Sequence, residues 1–228
     1  MLKISDVALV VSAYNEDISW IKKIKNSKII YNKSNKKIKD SIPLENIGRE
    51  SHTYLHHIVK NYDKINDFTI FCQGHPFDHC PQFIEIANCK SIESINKVSK
   101  KHNEKNYSET VESYEKNWPE IMKHYAPIGH SWTYDIAYHF NKPWDLQFRI
   151  PHTYIALEVM YPRHKPFKKF ECFWGAIFAV SKENIHRFPK EKYQRLLDLH
   201  KEFWSMPWAM ETIWHYIFCE ADAPKEYF

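Results

Sequence analysis

Three short apolar runs, spaced so that helical or turn-forming sequence falls between them, constrain this chain more than any other feature. Val7-Ala8-Leu9-Val10-Val11 reads as a strand buried on both faces. Residues Glu16 to Ile24 then place Ile18, Trp20, Ile21 and Ile24 at helical spacing, and Lys28 to Tyr31 is a second short strand, which completes a βαβ unit. A helix is predicted from the block Asn46-Ile-Gly-Arg-Glu-Ser-His-Thr-Tyr-Leu55 to about Tyr62, followed by a turn over Asp63 to Asp67 and a third strand, Phe68 to Phe71. Alternation of this kind predicts an α/β fold with a mostly parallel sheet flanked by helices, and it gathers ligands at the strand C-termini.

The second half departs from the pattern. Ser91 to Lys116 is polar and charged, a surface loop or helix, while Thr153 to Val159 and Trp174 to Val180 read as strands. Ser181 to Phe188 and Lys190 to Trp204 are helical, and Met210 to Cys219 is a last, aromatic helix. With no internal repeat and no Pro-, Gly- or Ser-rich linker, the 228 residues are expected to form one domain over 1–228.

Glycine usage sharpens this. Only four glycines occur, Gly48, Gly74, Gly129 and Gly175, where average usage would supply roughly 16. A bias toward Lys, Asn and Ile accounts for the scarcity but not for where the survivors sit, each beside polar and aromatic residues. Gly74 lies in the densest such cluster, Phe71-Cys-Gln-Gly-His-Pro-Phe-Asp-His79, at the end of the third strand. A strand ending in a Gly/Pro turn that carries His, Asp and His is where an α/β protein places catalytic or ligating groups.

Composition removes several classes. A net charge of +4 from 32 basic and 28 acidic residues is too weak a field for nucleic-acid binding. The eight lysines between Lys22 and Lys39 flank a strand with few aromatics and read as a solvated face. No apolar stretch is long enough to span a membrane, and the five-residue run at Val7 is too short for a signal segment. Five cysteines, odd in number and without a C-x-x-C pair, read as free thiols. Together these point to a soluble, cytoplasmic protein. Cys72, His75, His79 and Cys80 lie too close in sequence, with no second ligand pair, for a structural zinc module.

Three blocks taken together carry a resemblance: Val11-Ser-Ala-Tyr-Asn-Glu16, the Asn46-to-Leu55 block and Phe71-to-His79. With the later Gly175-Ala-Ile-Phe-Ala-Val-Ser181 and Met210-to-Phe218, the chain resembles, over nearly its whole length, small GT-A-fold, nucleotide-sugar-dependent glycosyltransferases, a family with virus-encoded and uncharacterised members. The resemblance implies a Rossmann-like GT-A domain that moves a sugar from a nucleotide diphosphate donor, a UDP-sugar, to a glycan or other hydroxyl acceptor.

It also implies roles. Ala13, Tyr14, Asn15 and Glu16, after the first strand, would hold the base and ribose, bordered by Tyr31, Asn32 and Lys33. For Asn15, capping of the helix that follows is the competing reading. Arg49 would grip the diphosphate with Glu50 beside it; a buried Arg-Glu pair that holds the fold is the alternative. The Asp-x-Asp motif usual at the central strand end is absent here, and Gln73-Gly74-His75 stands in its place. A divalent cation, Mn²⁺ or Mg²⁺, would then take Asp78 as first ligand, with His75 or His79 second and His215 a further candidate. Glu211 is the expected general base, against the alternative of a charge at a helix N-terminus. Trp174, Phe178, Trp204 and Trp208 are candidates for a sugar-stacking wall. Two rivals share these residues: a metal-dependent hydrolase or nucleotidyltransferase using the His/Asp turn, and a nucleotide-sugar-binding domain without turnover.

Overall fold

The computed structural model describes residues 6–102, 116, 119–129, 131–162 and 169–218; Cys219 and the side chain of Trp174 lie outside the described part. Its strands are β1 (Val7–Ala13), β2 (Ser27–Asn32), β3 (Ser41–Pro43), β4 (Phe68–Gln73), β5 (Tyr125–Ile128), β6 (Ser131–Asp135), β7 (Lys169–Phe173) and β8 (Ile177–Ser181). Helices of ten residues or more are α1 (Arg49–Asn61), α2 (Ile92–His102), α3 (Ile150–Met160), α4 (Lys190–Glu202) and α5 (Met206–Phe218).

A six-stranded sheet runs in the order β3-β2-β1-β4-β8-β5, with β6 and β7 paired separately. β1, β2, β3 and β4 are parallel, and β8 lies antiparallel between β4 and β5. The expected α/β sheet flanked by helices is therefore observed. Because β2 and β4 pair with opposite edges of β1, the chain reverses its direction of travel across the sheet there, and a crevice opens at the C-terminal ends of β1 and β4.

Alternation along the central strands feeds two cores. Val10, Phe71, Phe178 and Val180 face one side, where Tyr54, Leu55 and Ile58 of α1, Leu157 of α3 and Ile213 and Trp214 of α5 pack. Leu9, Val11, Ile70, Cys72, Ile177 and Ala179 face the other, against Trp20, Ile21, Phe83, Ile86 and Ile92. Both faces are covered, as a parallel sheet requires. Cys72, Cys80, Cys89 and Cys172 are free thiols, and burial pushes the Cys80 thiol up to about 12, so it is inert. Among the described residues, no helix is long and apolar enough to cross a membrane.

Several predicted elements change. Thr153 to Val159 is not a strand but the middle of α3: Thr153, Ala156, Leu157 and Met160 are buried at i, i+3, i+4 and i+7, and Pro151 occupies the first turn. Glu16 to Ile24 contracts to one 3₁₀ turn, Ser19–Lys23. There the Asp17 carboxylate accepts from the Ser19 amide at 2.8 Å and hydroxyl at 2.9 Å, a local bond that competes with the longer helix and leaves Asn15 no cap to make. Trp174 to Ala176 is a tight turn rather than strand, because Gly175 and Ala176 hold φ of 75° and 50°. The Ser181 to Phe188 helix shortens to Lys182–Ile185, and the start of the Ser91 to Lys116 segment is α2, residues 103–115 lying outside the described part.

A histidine layer joins α1 to α4. His200 Nδ1 donates to the Leu196 carbonyl at 2.8 Å with Nε2 2.7 Å from the Ser51 hydroxyl, and His57 Nδ1 meets the Tyr31 hydroxyl at 3.1 Å. Burial lowers His57 and His200 to about 4 and His52 to about 3; His215, in the core beside Tyr125 and Phe173, falls to about 3. Groups whose folded pKa lies below the unfolded value of about 6.5 stabilise the neutral, folded form above that pH, and this stability is lost as pH falls from about 6.5 toward 4. Glu50, raised by burial, runs the opposite way, but it is one group against four. The melting temperature is expected to fall steeply between pH 7 and pH 5, and less steeply in His200→Gln. A melting temperature flat over that range would refute the account.

Candidate active site

The crevice leads into a cleft of about 590 Å³ lined by Arg49, Glu50, Gln73, His79, His139, Trp144, Asp145, Arg149, Gly175, Pro207, Trp208 and Glu211. Its walls come from the start of α1, the end of β4, the Gly175 turn, α5 and the turn that precedes α3.

α1 begins at Gly48, whose left-handed φ of 59° turns the chain without a capping side chain. Lys33, buried behind this turn, donates through Nζ to the carbonyls of Ile47 and Arg49, and burial lowers its pKa to about 8. The clamp sets Arg49 and Glu50 at the mouth of the cleft. Arg49 is 60% exposed, with its guanidinium 5.5 Å from the Trp208 ring centre and its Nε 3.6 Å from the Glu50 carboxylate. Burial raises the Glu50 carboxyl, and nearby Glu211 pushes the same way while Arg49 opposes.

Arg149 forms the floor. Its Nε donates to Thr212 Oγ1 at 2.9 Å, and its guanidinium lies 4.5 Å from the Tyr134 ring centre and 5.1 Å from that of Trp132. Nη2 stands 4.0 Å from Glu211 Oε2 and is a buried donor with no hydrogen bond among the described residues. Glu211 Oε1 accepts from the Gly175 amide at 3.2 Å. The Gly175 turn admits no side chain, since a Cβ there would stand 2.5 Å from the His79 ring. Glu211 lies well inside α5 rather than at its start, so the helix-terminus alternative does not hold.

Beside this pair is a second carboxylate. Asp145 Oδ1 accepts from the Tyr134 hydroxyl at 2.9 Å, and Oδ2 faces His139 Nδ1 at 2.9 Å. The His139 ring stacks on Tyr134 with centroids 4.1 Å apart.

Of the residues expected from sequence, Arg49, Glu50, Gln73, His79, Trp208 and Glu211 meet in the cleft. Ala13, Tyr14, Asn15 and Glu16 do not line the cleft: Ala13 is buried in the second core, and Tyr14 to Glu16 form a turn after β1, with the Tyr14 amide donating to Glu16 Oε2 at 2.7 Å and the Glu16 carboxylate packed on Gly74. Tyr31, Asn32 and Lys33 do not reach the cleft: Tyr31 is in the core, Asn32 ties its own loop through Ser34 and Lys36, and Lys33 is the clamp. The residues expected to hold a divalent cation are not gathered either. Asp78 and His75 face solvent as a pair 3.5 Å apart, His79 presses on Gly175, and His215 is buried in the core; among the described residues no three His, Cys, Asp or Glu side chains converge as a metal shell. Phe178 is core, whereas Trp208 lines the cleft and Trp204 stacks edge-on to it at 5.7 Å.

Sequence reasoning missed His139, Trp144, Asp145 and Arg149. The one local signal is the i, i+4 spacing of Asp145 and Arg149, which a helical turn brings to one face.

A family model described as a protein of unknown function (DUF3431) matches residues 9–226. No curated protein and no solved structure matches the chain.

The two cleft arginines differ in what they support. Arg149→Met removes a buried guanidinium bonded to Thr212 and facing the half-buried Glu211 carboxylate, and is expected to cost at least about 2 kcal/mol in urea denaturation. Arg49→Met removes an exposed charge and is expected to cost under about 1 kcal/mol. Equal losses would show that Arg149 is not the floor of the site.

Proposed function

We propose that this chain, which belongs to the DUF3431 family, is a glycosyltransferase that moves a sugar from a UDP-sugar to a hydroxyl acceptor in the cleft. One observation carries the reading: at the C-terminal edge of a parallel sheet, a single cleft combines two guanidinium groups, three carboxylates and the faces of Trp144 and Trp208. Carboxylates accept from vicinal sugar hydroxyls, indole faces cover the apolar side of a pyranose, and an exposed guanidinium at a helix start pairs with a diphosphate. A volume of about 590 Å³ is that of a small-ligand pocket.

In this reading the nucleotide extends from the cleft toward the Tyr14-to-Glu16 turn, with its diphosphate at Arg49 and its sugar against Glu50 and Glu211. Arg149, 4.0 Å from Glu211, places a fixed positive charge beside that carboxylate. Because the candidate cation ligands are not gathered, no step is routed through a metal; the donor's charge is met by Arg49 and the start of α1.

The test is a thermal-shift and calorimetric panel of UDP, GDP, ADP and UDP-sugars, each with and without Mn²⁺, since a ligand that binds only the folded state raises its melting temperature. UDP and UDP-sugars are expected to stabilise the protein more than GDP or ADP, and Arg49→Ala is expected to weaken UDP binding about tenfold, or about 1.4 kcal/mol. No shift with any nucleotide at millimolar concentration would remove the donor assignment. Release of free sugar without transfer to any acceptor would make the protein a hydrolase.

A further inference from the structure

Inverting transfer to a hydroxyl requires a group that takes the acceptor's proton, and the cleft holds several candidates. Glu211, the choice from sequence, accepts from the Gly175 amide through Oε1 and has Oε2 4.0 Å from the Arg149 guanidinium. Glu50 is paired with Arg49. His79 is pressed against the Gly175 turn.

His139 differs from all three. A carboxylate oxygen can only accept, so the 2.9 Å contact between Asp145 Oδ2 and His139 Nδ1 places the ring proton on Nδ1 and leaves Nε2 with a bare lone pair. Nε2 has no hydrogen-bond partner among the described residues, while the ring itself is held: it stacks on Tyr134, and its side chain is only 12% exposed. Asp145 is fixed in turn by the Tyr134 hydroxyl at 2.9 Å. The charged and titratable groups around the ring are Asp145, Tyr134 from β6, Tyr138 on its own helical turn, and Arg149, whose guanidinium covers the other side of the Tyr134 system. An imidazole that lines a ligand-sized cleft, held through one nitrogen by a buried carboxylate and without a partner on the other among the described residues, is the arrangement that activates hydroxyl groups in unrelated enzymes.

We infer that His139, oriented by Asp145, is the catalytic base that takes the proton from the acceptor hydroxyl in this cleft. The inference rests on the transferase reading above. In the step, a lone pair of the acceptor oxygen forms the new bond to the anomeric carbon. The bond from that carbon to the diphosphate oxygen breaks with its electron pair leaving on the phosphate, and the hydroxyl proton passes to Nε2. Asp145 stabilises the imidazolium until the proton is lost to water. Glu211 then serves to hold a sugar hydroxyl and the Gly175 turn.

The experiment uses the full chain with UDP-glucose, UDP-galactose and UDP-N-acetylglucosamine as donors and a panel of mono- and oligosaccharide acceptors. Donor binding is measured by calorimetry, and transfer by UDP release and product mass across pH 5 to 9. His139→Gln is expected to bind donor within about threefold of wild type and to lose at least about a hundredfold in kcat, with the acidic limb of the kcat profile abolished. Asp145→Asn, which keeps the shape, is expected to lose at least about tenfold, and imidazole is expected to restore part of the rate in His139→Ala. Retention of more than a tenth of wild-type kcat in His139→Gln, with the acidic limb intact, overturns the assignment and leaves the dyad a structural pair. If His139→Gln does not fold, the same judgement falls on Asp145→Asn and its pH profile. A wild-type protein that binds none of these donors overturns the transferase reading first and this assignment with it, whereas donor binding and turnover without His139 dependence overturns the assignment alone.

Discussion

Burial of β1 on both faces is the constraint on which the rest depends. Val10 enters one core while Leu9 and Val11 enter the other, and both edges of the strand are paired, so β1 has neither a solvent face nor a free edge. A strand in that position needs a helix layer above and below, which α1, α4 and α5 supply on one side and the 3₁₀ turn and α2 on the other. The reversal of winding at β1 then leaves the C-terminal ends of β1 and β4 uncovered. The position of the cleft follows from this topology before any site residue is considered.

The cleft itself is organised around cations that face inward. Arg149 is held by Thr212 and by aromatic faces, so its guanidinium is fixed before any ligand arrives. That fixed charge sits at one wall with Glu211 opposite it and the Tyr134-Asp145-His139 chain alongside. Gathering Glu50, Asp145 and Glu211 in one partly buried space is costly unless each has a partner, and each has one: Arg49, Tyr134 with His139, and Arg149 with the Gly175 amide. Polar groups held at such cost, around a space the size of a small ligand, make this cleft the candidate ligand site.

The glycines show how far location in sequence carries meaning. Gly48 holds positive φ at the start of α1 and Gly175 at a wall of the cleft, and Gly74 lies under Glu16 after β4. Their placement beside polar and aromatic clusters was visible in the chain. Their partners were not, because His200, His79 and Glu16 reach them from other segments. The same holds for Lys33, which reads as a site residue beside a strand end and proves to be the clamp behind one.

What the sequence determined by itself was the local periodicity: the strands β1, β2 and β4, the helix α1, the α/β class, and six residues that do meet in the cleft, Arg49, Glu50, Gln73, His79, Trp208 and Glu211. These were legible because period-2 burial, strand-end turns and helix starts are written within a few consecutive residues. Tertiary structure alone decided the antiparallel insertion of β8, the helical state of Thr153 to Val159 and the second half of the site. Apart from the i, i+4 spacing of Asp145 and Arg149, nothing in the composition of their stretch sets His139, Asp145 and Arg149 apart from their neighbours. They acquire roles only when Tyr134 on β6 and Thr212 and Glu211 on α5 are folded against them, across separations of up to 63 residues for which a linear pattern holds no signal.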